Sequence, residues 1–427
     1  MESVYQTRRA RLTADLQDGD VFVLFSGDSE TPSILPSDPK TVSKNFIYLT
    51  GLCENDLVLV IIRSGGAVRE ALFVPARSDM EAFYMGKTKD LDYYRQRGGI
   101  QNVDYRYHLD SYISMEALTN SIGRLVLACP NRSILTRPTL EACFARKMLN
   151  SFPHLQVVDK NYEILCMRQF KDAQEIEAIQ KAVDLTGLAI VEAMKKTRDG
   201  MTESQVRALC DYTARMHGAS GTPEGVVAAG ANGVILHYED SDGVFRRGEL
   251  AMVDLCVEYN HYVSDITRTF PVEGRFTERQ AYWYDLCLRA QESIVAHMKP
   301  GADMRACGAE AREMVAKALM DNGYIQSPEE LPAMIGQCRK DYVTVTGVNH
   351  SIGLQCDEVG TRSRFQTLQP GMVYTVEPGI YLGSEGIGIR IEDDYLVTED
   401  GIRCLSAGIP KTIPEIEALR EGSHEDL

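Results

Sequence analysis

The sequence predicts an α+β chain of two domains, a smaller α/β domain over residues 1–165 and a larger one over 166–427 in which helices lie outside antiparallel sheet. Three observations carry this reading. The first third is punctuated by short apolar, β-branched runs. From about residue 168 long stretches adopt the spacing of amphipathic helices, and between those helices stand pairs of extended runs. A chain of 427 residues also exceeds the usual size of one compact domain.

A charged helical start holding Arg8, Arg9, Arg11 and Leu12 leads to VFVLFSG at 21–27, FIYLTG at 46–51, DLVLVII at 56–62 and EALFVPA at 70–76. With LVLAC at 125–129 and LQVVD at 155–159 these runs fit a mixed sheet of mostly buried strands. The GDS at 27–29 follows a strand but is not a GxGxxG, so no nucleotide-binding loop is read there. In the second domain, 168–197 reads as one long helix or two, with Ile176, Ile179, Val183, Ile190 and Met194 on its apolar face. Thr202 is an N-cap for a helix over 202–218, and Gln205 stands at the capping-box position. Further helices are expected from 277 to about 298 and from 303 to about 320. Strands are expected at 226–236, at 250–259 paired with 262–270 around Asn260, and at 343–349, 372–377 and 388–397.

The formal net charge of −16 argues against nucleic-acid binding, which needs a basic footprint. No run approaches 18 apolar residues, so no membrane span is expected, and MESVYQTRRARL lacks the apolar stretch of a signal peptide. Eleven cysteines without a CxxC pair point to free thiols in a reducing cytoplasm. Packing accounts for Trp283 and its tyrosine neighbours, and His261 in the hairpin turn reads as exposed.

Chemistry enters with charges in apolar places. Asp254 interrupts AMVDLCV, where a carboxylate is costly without compensation, and Asp265 on the returning strand can approach it across the ladder. Glu377 follows MVYTV, Glu392 closes IGIRIED, and His350 ends VTVTGVN. Four carboxylates and one imidazole suit two divalent cations, manganese foremost, with zinc, cobalt or iron as alternatives.

The stretches ILHYEDSDG (235–243), SDITRTFPVEGRFT (264–277), LQPGMVYTVEPGIY (368–381), GIGIRIEDDYLVT (386–398) and IPKTIPEIEAL (409–419) resemble the creatinase/aminopeptidase P/methionine aminopeptidase family. These are the "pita-bread" M24 metallopeptidases, and the likeness is to Xaa-Pro aminopeptidase and prolidase in particular. It covers roughly 165–420, and FIYLTG with DLVLVI resembles the family's non-catalytic, creatinase-like N-terminal domain. The resemblance implies a pita-bread catalytic domain whose metal ligands are Asp254, Asp265, His350, Glu377 and Glu392. It also implies that a metal-bridging water or hydroxide attacks the bond before proline with help from Glu377. His237 is then at the substrate-facing edge, Arg390 stands beside the metals, and the chain forms a homodimer or homotetramer.

The chain departs from the family where the latter carries HGxxHxxG and a further histidine. Here Thr346 replaces the first histidine and Asp357 the last, which contacts substrate. An ionised carboxylate opposes a developing oxyanion that an imidazole would stabilise. Three readings are therefore kept. One is an Xaa-Pro aminopeptidase or dipeptidase acting on small peptides. Another is a metal-dependent hydrolase or lyase acting on a non-peptide small molecule, and the third is a non-catalytic binding module.

Overall fold

The computed structural model describes residues 3–27, 42–120, 122–129, 138–331, 341–345, 349–358 and 367–422, and the chain divides into two compact units, Met1–Arg168 and Gln169–Leu427. In the first unit, β1 (Asp20–Phe25), β2 (Val58–Ser64), β3 (Ala67–Val74), β4 (Asn102–Tyr105), β5 (Arg124–Leu127) and β6 (Gln156–Asp159) form one mixed sheet in the order β4-β3-β2-β1-β5-β6. The pairs β1–β2 and β2–β3 are antiparallel, while β1–β5, β3–β4 and β5–β6 are parallel. The unit's helices are α1 (Val4–Thr13), α2 (Lys44–Thr50), α3 (Asp79–Met85), α4 (Leu91–Gly98), α5 (Leu109–Asn120), α6 (Leu140–Ser151) and α7 (Asn161–Arg168). All of β1 and Val58–Ile62 of β2 are buried, so these strands read as continuous apolar runs rather than alternating ones.

One run folds differently from expectation. FIYLTG at 46–51 is helical, not extended: the Ser43 hydroxyl accepts the Phe46 N–H at 3.4 Å, and Gly51, at φ 68°, donates its N–H to the Ile47 carbonyl. Residues 45–50 are all buried, so the run carries no period that separates a strand from a buried helix. The two caps were the available signal.

In the second unit, α8 (Ala173–Lys196), α9 (Glu203–Met216), α10 (Glu278–His297), α11 (Met304–Cys307), α12 (Ala309–Asp321) and α13 (Ile413–Gly422) accompany three antiparallel sheets. The first is ordered β10-β8-β7, from β7 (Gly221–Ala229), β8 (Leu250–Tyr259) and β10 (Ile266–Pro271), with β9 (Tyr262–Val263) paired to β8. The second joins β11 (Asp341–Thr344), β13 (Gly379–Leu382) and β14 (Ile387–Arg390), and the third β12 (Val373–Val376), β15 (Asp393–Val397) and β16 (Ile402–Cys404). Capping boxes open α8 (Asp172 with Glu175), α9 (Thr202 with Gln205) and α10 (Thr277 with Gln280). Asn260 and His261, both at positive φ, make the two-residue turn between β8 and β9.

Two strand expectations need correction. The run 226–236 stays extended only to Ala229 and then winds into a short 3-10 turn, Gly230–Val234. The run 388–397 is two strands, β14 and β15, in different sheets. The same happens between β12 and β13, so the links at Glu377–Pro378 and Ile391–Glu392 each carry the chain from one sheet to another. Gln291 of α10 ties the links together, with Nε2 donating toward the Val376 and Ile391 carbonyls at 3.1 and 3.3 Å. The expected strand 343–349 ends at Thr344, and residues 346–348 lie outside the described residues.

Gly388 of β14 meets Gly233 so closely that an added Cβ would stand 2.0 Å from the Gly233 carbonyl oxygen. Gly388→Ala is expected to destabilise the protein by about 1–3 kcal/mol through overpacking. A urea titration checks this, with Gly401→Ala, where nothing stands within 4 Å, as the unaffected control.

Candidate metal centre

The five acidic and imidazole residues singled out by the sequence arrive from separate pieces of the second unit. Asp254 lies mid-strand on β8, with Thr267 of β10 directly opposite. Asp265 precedes β10 and so reaches Asp254 diagonally rather than as its cross-strand partner; its N–H donates to Asp394 Oδ2 at 3.0 Å. Glu377 and Glu392 occupy the two sheet-crossing links. His350 is laid against β12, its N–H donating to Thr375 Oγ1 at 3.1 Å and its carbonyl accepting the Thr375 N–H at 2.9 Å.

These pieces converge. His350 Nε2 lies 3.3 Å from Glu377 Oε1 and 3.6 Å from Asp265 Oδ2. Ligand atoms of Asp265, His350 and Glu392 all fall within 4.8 Å of one another. Arg390 Nη2 donates to Asp254 Oδ2 at 2.5 Å. Side chains that no motif marked fix the orientations. Thr267 Oγ1 donates to Glu392 Oε2 at 2.6 Å and accepts from Arg390 Nε at 3.1 Å. Thr375 Oγ1 donates to Glu377 Oε1 at 3.0 Å, and Asn349 Oδ1 accepts the Glu377 N–H at 3.2 Å. Their only sequence trace is polarity inside apolar strands, as in ITRTF.

The electrostatics separate two kinds of buried carboxylate. Burial raises Asp265 and Glu377 well above the ordinary range, and the charge of Glu392 adds to this in both. Burial and then Asp254 push Glu392 up to about 8. Burial also lowers the His350 imidazole, against the pull of Asp357. Asp393, the residue after Glu392, behaves oppositely. Burial acts to raise it, but Arg268 and Lys411, with Nη2 and Nζ 2.7 and 2.9 Å from its oxygens, hold it below the usual range. Among the described residues, Arg390 is the sole Lys or Arg within salt-bridge distance of Asp254, Asp265, Glu377 or Glu392. Hard oxygen donors plus one imidazole, short of positive charge, fit divalent cations.

The remaining expected site residues are distributed unevenly. Arg390 is buried, with Nη1 donating to Tyr381 Oη at 3.0 Å and to the Leu236 carbonyl at 3.2 Å. His237 and Asp357 are exposed. Thr346 lies outside the described residues. The free-thiol expectation fails for one pair: a disulfide joins Cys256, two residues beyond Asp254, to Cys356 in the segment after His350. Partners 100 residues apart leave no spacing signature. Eight other cysteines among the described residues form no disulfide.

Known proteins resemble this chain over most of their length. The metallopeptidase family M24 profile matches residues 177–399, and that of the aminopeptidase P N-terminal domain matches 5–122. The chain is 29% identical to the Xaa-Pro aminopeptidase of Escherichia coli (strain K12) over 97% of each chain. It is 30% identical to Xaa-Pro aminopeptidase 1 of Streptomyces coelicolor, covering 96% of this chain and 85% of that one. Aminopeptidase P from Escherichia coli, in its low-pH form, superposes with a TM-score of 0.87 at 27% identity over 100% of both chains. The chain belongs to metallopeptidase family M24, with a pita-bread catalytic domain behind an aminopeptidase P-type N-terminal domain.

Proposed function

We propose that this metal-dependent hydrolase is a dinuclear Xaa-Pro aminopeptidase that cleaves the peptide bond before proline in small peptides. Asp254, Asp265, His350, Glu377 and Glu392 are its metal ligands. The observation that carries the reading is the convergence of Asp265, Glu377 and Glu392 on His350, beside an Asp254 that among the described residues has Arg390 as its one guanidinium partner. The names of the relatives support the substrate class.

Two divalent cations, manganese in our reading, supply Lewis acidity toward the scissile carbonyl and lower the pKa of water. Glu377, its carboxylate oriented by Thr375, accepts the proton of the attacking water and delivers it to the departing proline nitrogen. Arg390 orients Asp254 through its Nη2 bond to Oδ2, and His237 contacts the substrate from the exposed edge. Asp357 offers a negative charge where an imidazole would serve the oxyanion, so it favours a cationic group on the substrate at the expense of rate. The N-terminal domain, with its boundary near residue 165, takes no part in the chemistry. We place the protein in the cytoplasm as a homodimer or homotetramer that binds neither nucleic acid nor membrane. The net charge of −16 speaks against a nucleic-acid partner, and no described helix is long and apolar enough to cross a bilayer.

Metal analysis and turnover on one preparation test the reading. With Mn²⁺ added, two ions per chain and cleavage of Xaa-Pro-Yaa peptides but not of Xaa-Ala-Yaa peptides are expected. Asp357→His is expected to raise kcat by about 10-fold or more, restoring an oxyanion donor. A chain that binds no metal after Mn²⁺ addition overturns the ligand assignment.

A second prediction concerns pH. In the metal-free protein Glu392 titrates near 8 instead of its ordinary 4.5, and Asp265 and Glu377 shift the same way. Raised values mean that the folded state binds more protons than the unfolded one. This contribution to stability is complete below about 4.5 and is lost as pH rises through about 8. Calorimetry of the metal-free protein should show Tm falling across that window, and Mn²⁺ should restore it at the alkaline end. A Tm that rises with pH and ignores Mn²⁺ contradicts the assignment.

A further inference from the structure

Glu203, the first residue of α9, is fully buried, and none of the four donors to its carboxylate is a cation. Oε1 accepts from the Ala229 N–H at 2.7 Å and from Asn232 Nδ2 at 2.9 Å, while Oε2 accepts from the Tyr238 hydroxyl at 2.8 Å and from the Gly243 N–H at 2.7 Å. All four donors lie on residues 229–243, the segment that leaves β7 and carries His237. Its own N–H donates to the Gly243 carbonyl at 3.0 Å. A buried carboxylate is costly unless its lone pairs are satisfied, and the N-terminus of α9 adds a favourable field. Here every one of these bonds goes to one loop.

The same segment is held from the opposite side. Arg390 Nη1 donates to the Leu236 carbonyl at 3.2 Å while Nη2 grips Asp254 at 2.5 Å. The Tyr342 hydroxyl donates to the Val234 carbonyl, and Gly233 abuts Gly388. His237 is thus the residue between Leu236, held by Arg390, and Tyr238, held by Glu203.

We propose that Glu203 is a positioning residue which, with Arg390, clamps the chain on both sides of His237 and fixes that imidazole relative to the metal centre. This rests on the reading of His237 as the substrate-facing edge. Glu203→Gln keeps the side-chain size but leaves one acceptor oxygen for four donors, and Tyr238→Phe is a milder variant should the first fail to fold. In the Mn²⁺-loaded enzyme, Glu203→Gln is expected to lower kcat/KM about 10-fold, chiefly through KM, with bound metal unchanged. Amide exchange should quicken in peptides covering 229–243 and nowhere near the ligands. On a His237→Ala background the same change should add less than about 2-fold, because both act through one group.

Full additivity with His237→Ala, unchanged exchange at 229–243, or an activity loss that tracks lost metal each overturn the proposal. If His237→Ala itself leaves kcat/KM intact, it is the reading of His237 that fails. Exchange then judges the clamp alone: quickened exchange upholds it and unchanged exchange refutes it.

Discussion

Four carboxylates gathered near one imidazole, with a single guanidinium in contact among the described residues, impose the condition that the rest of the second unit has to meet. Like charges brought this close in a buried place either take up protons or are neutralised by cations. The contrast within one dipeptide makes the point. Glu392 is pushed up to about 8, while the adjacent Asp393 is held below the ordinary range by Arg268 and Lys411. Both are buried, so burial does not separate them. What separates them is whether the protein supplies its own counter-charge, which it does for Asp393 and largely does not for the residue before it.

That difference gives the surrounding architecture a purpose. Arg268 is buried on β10, bonding to Asp393 through Nη2 and to the Glu392 carbonyl through Nη1 at 2.7 Å. The Asp393 pair is therefore a fixed anchor, and the carboxylate projecting from its neighbour has little choice of position. The link carrying Glu377 is fixed in the same manner, through Gln291, Asn349 and Thr375. A chain that crosses from sheet to sheet within two residues presents a side chain at the seam, while strands on either side hold the backbone. Two such crossings, tied by one glutamine, set two glutamates at one place without any loop to order.

The sequence made the candidate ligands visible because they are chemically out of place: Asp254 within AMVDLCV and Glu392 at the end of IGIRIED have no reason to be there in an ordinary sheet. The supporting residues were hidden for the opposite reason. Thr267, Thr375, Gln291 and Glu203 are common residue types on strands and helices, and only packing distinguishes them. The link at Ile391–Glu392 was invisible because the alternating pattern continues through it, so 388–397 reads as one strand. FIYLTG misled because a run of six buried residues has no period to test. Cys256 and Cys356 are paired by the approach of β8 to the His350 segment, which no spacing along the chain encodes.

The two halves of the site are secured by different means. Asp254 is held in the middle of a ladder, and Glu377 and Glu392 by strands on both sides, so backbone hydrogen bonds fix the course of the chain there and side chains such as Gln291, Thr375 and Arg268 add to that hold. His237 stands between the end of β7 and the start of β8, in a segment with no such ladder, and its place depends on the side chains of Glu203 and Arg390. Backbone-held carboxylates resist drift, whereas an edge held by two side chains shifts with a change in either. Arg390 belongs to both halves, gripping Asp254 with one nitrogen and the Leu236 carbonyl with the other. One guanidinium is therefore the shared point at which the backbone of the 229–243 segment and the carboxylate of Asp254 are fixed against each other.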